Sequence, residues 1–393
     1  MNIQIFPGKL RGHVEAVASK SHMQRLLICS ALADRPTDIT CNRISDDIRA
    51  AVDCLRSLGA EITEIPTGFR VIPIGQIPRS ATLRCGQSGA VLRFLLPVVG
   101  ALGIDATFVL QGRLAQRPLM PLLSEMENHG CHLEWLDNDR LYCCGKLRGG
   151  DFKIAGNVSS QFISGLMMAF PLIGEDCTLT VTGESVSKPY IQMTKDVLAS
   201  FGIRDVWDKH YHTPGTVHTE GDWSGAAFYL GANALGSSVT VTGLRDNSSQ
   251  ADSAIASILP TIGRHCTIDA TDIPDLVPIL AVIAAGNQGA EFTGISRLRL
   301  KESDRVAAIC AMLTGLGISV TAGKDALTVF PGSFQGGTVD SFGDHRIAMA
   351  AAIAATAANS NVTILDAGCV SKSYPRFWED YQTLGGQYEL DLR

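Results

Sequence analysis

The stretch that decides the fold is Leu55-Arg56-Ser57-Leu58-Gly59-Ala60-Glu61-Ile62. An amphipathic run ends at a glycine and continues into strand-like residues, which is typical of a helix closed by a left-handed carboxyl cap. The same ending recurs at Gly130, Gly202, Gly263, Gly317 and Gly385. The six glycines lie between 54 and 72 residues apart. This spacing is too irregular for a solenoid, whose repeats keep a near-constant period.

Each interval between these glycines contains two helical patterns and several short strand-like pieces, such as residues 177–182 and 238–243. The alternation predicts a βαβαββ unit that is repeated six times. A chain of 393 residues also exceeds the length at which one hydrophobic core usually keeps growing. We therefore expect an α/β protein with two closed domains of three units each, and an open array of units is the alternative.

Composition narrows the possible partners. The formal charge is −6 and the pI is about 5.9, so the chain has no general attraction for nucleic acid or acidic membranes. Any anionic ligand must be held by locally clustered Lys and Arg. Residues 1–10 lack the pattern of a signal peptide, and the apolar runs at 276–285 and 347–358 are too short to span a bilayer. We expect a cytoplasmic protein.

Eleven cysteines include no CxxC pair. Adjacent Cys143 and Cys144 have no nearby partners at the spacing of a tetrahedral zinc site, and His345 has no second ligand at a suitable spacing. We expect reduced thiols, no bound metal and no cofactor.

Several predicted helices begin with hydroxyl residues or glycine and carry Lys or Arg nearby. Free backbone N–H groups and the positive end of the helix dipole make such starts suitable for phosphate or carboxylate. Taken singly, most of them are explained equally well by ordinary capping, a tight turn or a solvated first turn. Asp344, His345 and Arg346 are different, because they open an almost uncharged helix. Charges beside a core need partners or a function.

In this order, the segments resemble the 5-enolpyruvylshikimate-3-phosphate synthase family. The matching motifs are SKSxxxR (19–25), GxSGxxxR (86–93), RP (117–118), SSQ (159–161), SxPY (187–190), EGD (220–222), PDL (274–276), KESDR (301–305), DHR (344–346) and SKSYP (371–375). The resemblance implies a two-domain inside-out α/β prism. Residues 1–13 and 220–393 would form a discontinuous domain, residues 14–219 an inserted domain, and the active site would lie in the cleft between them.

The resemblance also implies two sets of substrate ligands. The shikimate 3-phosphate set is Lys20, Ser21, Arg25, Ser159, Ser160, Gln161, Ser187, Asp275 and Lys301. The phosphoenolpyruvate set is Lys20, Gly89, Arg117, Gln161, Arg305, Arg346 and Lys372. Bidentate guanidinium groups suit a ligand that carries both a phosphate and a carboxylate.

The implied reaction moves the enolpyruvyl group of phosphoenolpyruvate to the 5-hydroxyl of shikimate 3-phosphate. The hydroxyl loses a proton as it attacks C2 and C3 gains one; phosphate then leaves as C3 gives a proton back. We assign Asp275 as the base, Glu302 as the proton donor to C3, and Lys20 as a support for the developing charge. A monomer is expected, since each domain would close on itself.

Two departures from the family pattern border the phosphoenolpyruvate set. Gln87 and Ala90 replace the usual Asn and Thr of the second loop, and Phe94 replaces the usual proline. They leave sensitivity to the inhibitor glyphosate open.

Other functions remain possible at this point. The related transferase that acts on UDP-N-acetylglucosamine would show Lys-Asn at the first helix start and a reactive cysteine before the RP motif, whereas this chain has Ser21 and a cysteine-free segment at 112–116. A noncatalytic anion-binding relative and an RNA-end-processing relative are further alternatives, and the acidic net charge disfavours the latter.

Overall fold

The computed structural model describes residues 1–184, 186–205 and 208–391. The strands are β1 (Asn2–Phe6), β2 (Arg11–Glu15), β3 (Thr37–Thr40), β4 (Glu61–Ile65), β5 (Gly68–Ile72), β6 (Ser80–Gly86), β7 (Asp105–Leu110), β8 (Cys131–Trp135), β9 (Arg140–Gly145), β10 (Gly150–Ala155), β11 (Cys177–Thr182), β12 (Thr216–His218), β13 (Ser238–Thr242), β14 (Cys266–Asp269), β15 (Ala290–Thr293), β16 (Val320–Ala322), β17 (Ala326–Val329), β18 (Gly337–Asp340), β19 (Val362–Leu365) and β20 (Gln387–Asp391).

The helices are α1 (Lys20–Ala31), α2 (Asp46–Ser57), α3 (Gly89–Leu102), α4 (Leu122–Asn128), α5 (Ser160–Ala169), α6 (Lys188–Ser200), α7 (Trp223–Ala234), α8 (Ile255–Ile258), α9 (Val277–Ala285), α10 (Arg305–Gly315), α11 (His345–Ala355) and α12 (Phe377–Thr383). None of the described helices combines the length and the apolar character needed to cross a bilayer. All eleven cysteines carry free thiols.

The chain forms two compact units. The discontinuous unit contains Met1–Val17 and the described residues from Gly221 onward, and the inserted unit is Ala18–Glu220. The first crossover falls after Val17, whereas the family resemblance places it after residue 13. The reason is that β2 pairs in parallel with β13 over its whole length, which keeps all of Arg11–Glu15 in the discontinuous unit. The second crossover falls one residue from the expected position.

The inserted unit contains one repeat that follows the predicted order along the chain. Strands β6 and β7 are parallel and are joined through α3, and α4 leads into the hairpin of β8 and β9, giving the sheet order β6-β7-β9-β8. A second sheet has the equivalent order β12-β3-β5-β4. Its first strand, β12, comes from the far end of the unit. The third sheet is the parallel pair β10-β11.

The discontinuous unit repeats this organisation. The sheet β14-β15-β17-β16 is a complete repeat, and the sheet β18-β19-β1-β20 receives its antiparallel strand β1 from the amino terminus. The remaining sheet is the parallel pair β13-β2. Each unit therefore holds three repeats, as predicted.

Two repeats lack the terminal hairpin that the βαβαββ prediction expects, those of β10-β11 and β13-β2. Residues 259–265 between α8 and β14 are too few to form two strands and a turn. The described residues between Gly202 and β12 contain no strand, and their run of charged residues, histidines and a Pro-Gly turn has no apolar alternation.

Five of the six predicted glycine ends are confirmed. Gly59, Gly130, Gly202, Gly317 and Gly385 have φ between 83° and 102° and follow α2, α4, α6, α10 and α12. The prediction for Gly263 is wrong. That glycine has no positive φ, because α8 is a single turn that already ends at Ile258.

The central helices are apolar on all sides. Every residue of α9 and of α11 is buried, and in the inserted unit most residues of α3 and of α5 are buried as well. A helix that is hydrophobic all round belongs to a protein interior. These helices form the core of each unit and carry their polar residues at their starts.

Helices α3 and α5 approach closely at Gly165. A Cβ atom at this position would lie 2.3 Å from the carbonyl oxygen of Arg93 and 3.3 Å from the Cα of Phe94. Pro97 lies four residues after Arg93 within α3 and has no N–H to donate to that carbonyl. The oxygen left without this helical partner therefore faces the backbone of α5, where only glycine fits.

Replacing Gly165 with Ala should lower the Tm by about 2 °C or more, because overpacking against a backbone atom costs roughly 1–3 kcal/mol. Differential scanning calorimetry measures the effect. Gly174→Ala is the matched control in the same unit, since no described atom lies within 4 Å of a Cβ there. Equal Tm values for the two variants would contradict the close approach.

Candidate active-site clusters

The discontinuous unit gathers its predicted site residues at helix starts. Asp275 precedes α9, Lys301 and Glu302 precede α10, and Lys372 ends the 3-10 helix Ala367–Lys372. Arg305 is the first residue of α10. We call the group the arginine cluster; its members are Asp275, Lys301, Glu302, Arg305, Asp344, Arg346 and Lys372.

Arg305 lies at the centre of the arginine cluster and its side chain is fully buried. Its Nη1 donates to Asp275 Oδ1 at 2.8 Å, its Nη2 to Glu302 Oε2 at 2.8 Å, and its Nε to Asp344 Oδ2 at 2.9 Å. Burial by itself disfavours the charged guanidinium, but Asp344, Glu302 and Asp275 outweigh it and raise the pKa of Arg305 above its ordinary value. Arg305 thus keeps its charge in the interior.

Asp275 is the second point where contacts converge. Its Oδ2 accepts from Arg346 Nη2 at 3.0 Å, and Lys301 Nζ lies 3.5 Å from Oδ1. Burial alone would raise the pKa of Asp275, but the charges of Arg346, Lys301 and Arg305 hold it well below its usual value. The carboxylate is therefore ionised at neutral pH, and its side chain remains 21% exposed, so a ligand can reach it.

Two lysines complete the arginine cluster. Lys372 Nζ lies 3.8 Å from Glu302 Oε1. Burial lowers the pKa of Lys301 to about 8, even though Asp275 opposes this change. The charge of Lys301 consequently depends on pH within the range where enzymes are usually assayed.

The predicted site set did not include two buried carboxylates. Asp344 caps α11 by accepting from Arg346 N at 3.0 Å, and it also accepts from Ser303 Oγ at 3.0 Å. Its place at the start of an uncharged helix was the signal available in the sequence. Asp252 accepts from Ser224 Oγ, and burial, with Asp275 adding to it, raises its pKa to about 7. No sequence pattern marks Asp252.

In the inserted unit the predicted residues form a second group, which we call the helix-start network. Its members are Lys20, Ser21, Arg25, Gly89, Arg117, Ser159, Ser160, Gln161 and Ser187. Lys20 Nζ lies 3.1 Å from Asp47 Oδ2. Gln24 Nε2 donates to the carbonyl of Asp47 and to Ser88 Oγ, both at 3.1 Å. These contacts join the starts of α1, α2 and α3.

Arg117 and Gly89 meet at the start of α3. A Cβ on Gly89 would lie 2.9 Å from Arg117 Nη1, so the absent side chain makes room for the guanidinium. Arg93 then links this region to α5, because its Nη1 donates to Gln161 Oε1 at 2.8 Å and its Nη2 to the carbonyl of Pro118 at 2.9 Å. Arg93 is part of the GxSGxxxR motif but was not among the predicted site residues.

The remaining residues of the helix-start network lie around α5 and α6. Ser159 caps α5 and accepts from Gln161 N at 3.3 Å, and Ser160 is buried in its first turn. Ser187 precedes α6 with φ of 54°, and its carbonyl accepts from Tyr190 N at 3.1 Å. Left-handed backbone at a residue other than glycine is uncommon and tends to mark functional positions.

Arg25 joins α1 to these helices. Its Nη1 donates to the carbonyl of Ser21 at 2.7 Å, and its Nε donates to Thr194 Oγ1 at 2.8 Å. Its Nη2 donates to the carbonyl of Tyr190 at 3.2 Å and to Ser164 Oγ at 3.4 Å. The structure therefore brings the predicted residues of each unit together within that unit.

Comparison with known proteins identifies the family to which the chain belongs. A family model described as EPSP synthase (3-phosphoshikimate 1-carboxyvinyltransferase) matches residues 6–273 and 266–381. The 3-phosphoshikimate 1-carboxyvinyltransferase of Clostridium beijerinckii is 34% identical over 428 residues, which cover 99% of this chain and 98% of that protein. The protein of the same name from Clostridium kluyveri is 36% identical over 417 residues, with 98% of both chains covered.

Solved structures share the fold at lower identity. EPSP synthase from Acinetobacter baumannii matches with a TM-score of 0.79 and 22% identity, over 99% of this chain and 100% of that chain. The enolpyruvyl transferase NikO from Streptomyces tendae matches with a TM-score of 0.80 and 16% identity, over 99% and 98% of the two chains. The predicted α/β enolpyruvyl transferase fold is confirmed. This chain belongs to the EPSP synthase (3-phosphoshikimate 1-carboxyvinyltransferase) family.

Proposed function

We propose that this chain transfers the enolpyruvyl group of phosphoenolpyruvate to the 5-hydroxyl of shikimate 3-phosphate and releases phosphate. The observation that carries the proposal is its near full-length similarity to proteins named for this activity. The reaction belongs to the shikimate pathway, which leads to chorismate and the aromatic amino acids. The protein is a transferase that works in the cytoplasm as a monomer and uses no cofactor.

The helix-start network supplies the ligands for shikimate 3-phosphate. Lys20, Ser21 and Arg25 come from α1, and Ser159, Ser160, Gln161 and Ser187 come from the starts of α5 and α6. Hydroxyl groups and free N–H groups at helix starts suit the phosphate and hydroxyl groups of this substrate. Asp275 and Lys301 complete the set.

The arginine cluster supplies most of the ligands for phosphoenolpyruvate. Arg305, Arg346 and Lys372 hold the ligand, together with Lys20, Gly89, Arg117 and Gln161. In the cluster these cations are paired with Asp275, Glu302 and Asp344. Those carboxylates fix the orientation of the guanidinium groups, and the anionic ligand shares the cations with them.

The same pairing explains how Asp275 becomes a base. Arg346, Lys301 and Arg305 hold its pKa well below the usual value, against the opposing effect of burial, so the free carboxylate accepts protons poorly. An anionic ligand that shares these cations weakens their hold and makes the carboxylate more basic. Proton abstraction is then linked to the presence of substrate.

Glu302 and Lys20 take the remaining roles. Glu302 contacts Arg305 at 2.8 Å and lies 3.8 Å from Lys372, which keeps its carboxyl beside the cations that hold phosphoenolpyruvate. From there Glu302, in its protonated form, gives a proton to C3 and is left as the carboxylate. Lys20, paired with Asp47, offsets the negative charge that develops as the hydroxyl attacks.

The direct test measures phosphate release from phosphoenolpyruvate with shikimate 3-phosphate, with UDP-N-acetylglucosamine, or with no acceptor. We expect release only with shikimate 3-phosphate, because the chain has Ser21 where the UDP-N-acetylglucosamine enzyme has Asn and lacks its cysteine. Release with UDP-N-acetylglucosamine would favour the sister activity. No acceptor-dependent release would favour a noncatalytic anion-binding protein.

The role of Asp275 is tested by Asp275→Asn. We expect kcat to fall by about 100-fold or more, since general base catalysis contributes roughly that factor. Asp269→Asn is the matched control, because Asp269 is exposed at the end of β14. The described hydrogen bonds of its side chain are all with Thr271. Its kcat should stay within about twofold of the wild type. A kcat for Asp275→Asn close to that of the control would overturn the assignment.

The charge of Lys301 predicts a pH dependence. Its ammonium form is present below pH 8 and is lost above it, because burial lowers the pKa of Lys301 to about 8. We expect kcat/KM for shikimate 3-phosphate to fall by about 30-fold between about pH 7 and pH 9.5, in proportion to the charged fraction of Lys301. Lys301→Arg remains charged over this range and should lose the decline. Identical pH profiles for wild type and variant would show that another group is responsible.

A further inference from the structure

Phe94 lies beneath the guanidinium group of Arg25. The Cζ atom of Arg25 is 4.7 Å from the centroid of the Phe94 ring. Phe94 is fully buried and Arg25 is 2% exposed. An aromatic face attracts a cation most strongly where water is excluded. This buried cation–π contact is therefore stronger than one at an exposed site.

The edges and the face of the guanidinium have different partners. Its N–H groups donate to Thr194, Ser21, Tyr190 and Ser164, all of which are carbonyl or hydroxyl oxygens. No described carboxylate forms an ion pair with Arg25, unlike Arg305. Burial lowers the pKa of Arg25 to about 10, which leaves it charged at neutral pH but poorly compensated. The ring of Phe94 stabilises this charge in addition to the hydrogen bonds.

The close approach of α3 and α5 brings the ring to this place. Gly165 packs against the Arg93 carbonyl and the Cα of Phe94, and its neighbour Ser164 donates to or accepts from Thr194 at 2.7 Å. The same contact between helices therefore fixes both the ring below Arg25 and a hydroxyl at its edge.

We propose that Phe94 is a positioning residue that holds the Arg25 guanidinium in the orientation from which it binds shikimate 3-phosphate. The proposal rests on the proposed function, in which Arg25 is a ligand of that substrate. Proline, the usual residue at this position in the family, has no aromatic face.

The rival explanation is that Phe94 only fills the core. Both explanations predict a loss of stability on truncation, so stability cannot separate them. They differ in the kinetics, because a misplaced Arg25 weakens binding of one substrate whereas a loosened core affects both.

The experiment compares Phe94→Leu with Phe108→Leu, which removes an equally buried ring from β7 of the same unit. Phe94→Met is a second variant, in which methionine fills more of the space left by the ring than leucine does but has no aromatic face. We expect Phe94→Leu and Phe94→Met to raise KM for shikimate 3-phosphate by about fivefold to tenfold, with KM for phosphoenolpyruvate changed by less than about twofold. Phe108→Leu should lower the Tm to a similar extent and leave the ratio of the two KM values unchanged.

A double-mutant cycle completes the test. Lys has no planar guanidinium to lie on the ring, so Phe94→Leu should add less than about twofold to KM for shikimate 3-phosphate in an Arg25→Lys background. Equal changes in both KM values, or the same effect of Phe94→Leu in both backgrounds, would overturn the proposal. Failure of the proposed function itself would be seen separately, as a wild-type protein without acceptor-dependent phosphate release.

Discussion

In a helix that is buried on all sides, charged residues are stabilised most easily near its start, and this constraint organises both units. Helices α9 and α11 have no exposed residue, so Asp275, Asp344 and Arg346 lie at their starts. Free backbone N–H groups and the positive end of the dipole are found at the same points. The core and the arginine cluster are therefore two consequences of one packing arrangement.

The two units satisfy their buried arginines in opposite ways. Arg305 contacts three carboxylates, which raise its pKa despite burial. Arg25 and Arg93 instead donate to carbonyl, hydroxyl and amide oxygens and lie over aromatic rings. In the arginine cluster a ligand must share cations that are already paired, whereas Arg25 retains charge that no described carboxylate neutralises. This difference is consistent with the proposed binding of a phosphorylated substrate by the inserted unit and with the proposed proton transfer at Asp275.

The sequence predicted the local features well and the long-range ones less well. Glycine caps and hydroxyl-rich helix starts depend on a few neighbouring residues, and five of the six caps were confirmed. The sixth, at Gly263, was not, because α8 is a single turn that already ends at Ile258. The missing hairpins after α6 and α8 reflect the length and composition of the segments that lead to β12 and β14. A count of repeats does not take these properties into account.

The composition of the two clusters was harder to predict, for a related reason. Asp275 and Arg346 lie close enough to Asp252 to influence its pKa, yet Asp252 is an isolated acid in a short 3-10 helix with no motif around it. Arg93 was visible within its motif, but its link from α3 to Gln161 and Pro118 depends on how closely α3 and α5 pack. The family resemblance supplied the predicted site residues, and only the geometry shows which side chains hold them in place.

Chain connectivity ties these local features to the stability of each unit. Strand β1 completes the sheet that contains β18, β19 and β20, and β12 completes the sheet of β3, β5 and β4. Both strands come from the opposite end of their unit's sequence. Since α11 lies between β18 and β19 in the chain, loss of β1 would unpair the sheet that supports the Asp344 and Arg346 helix start. Distant segments must therefore pair before the charged helix starts are held in position. The geometry of each cluster consequently depends on the folding of its whole unit.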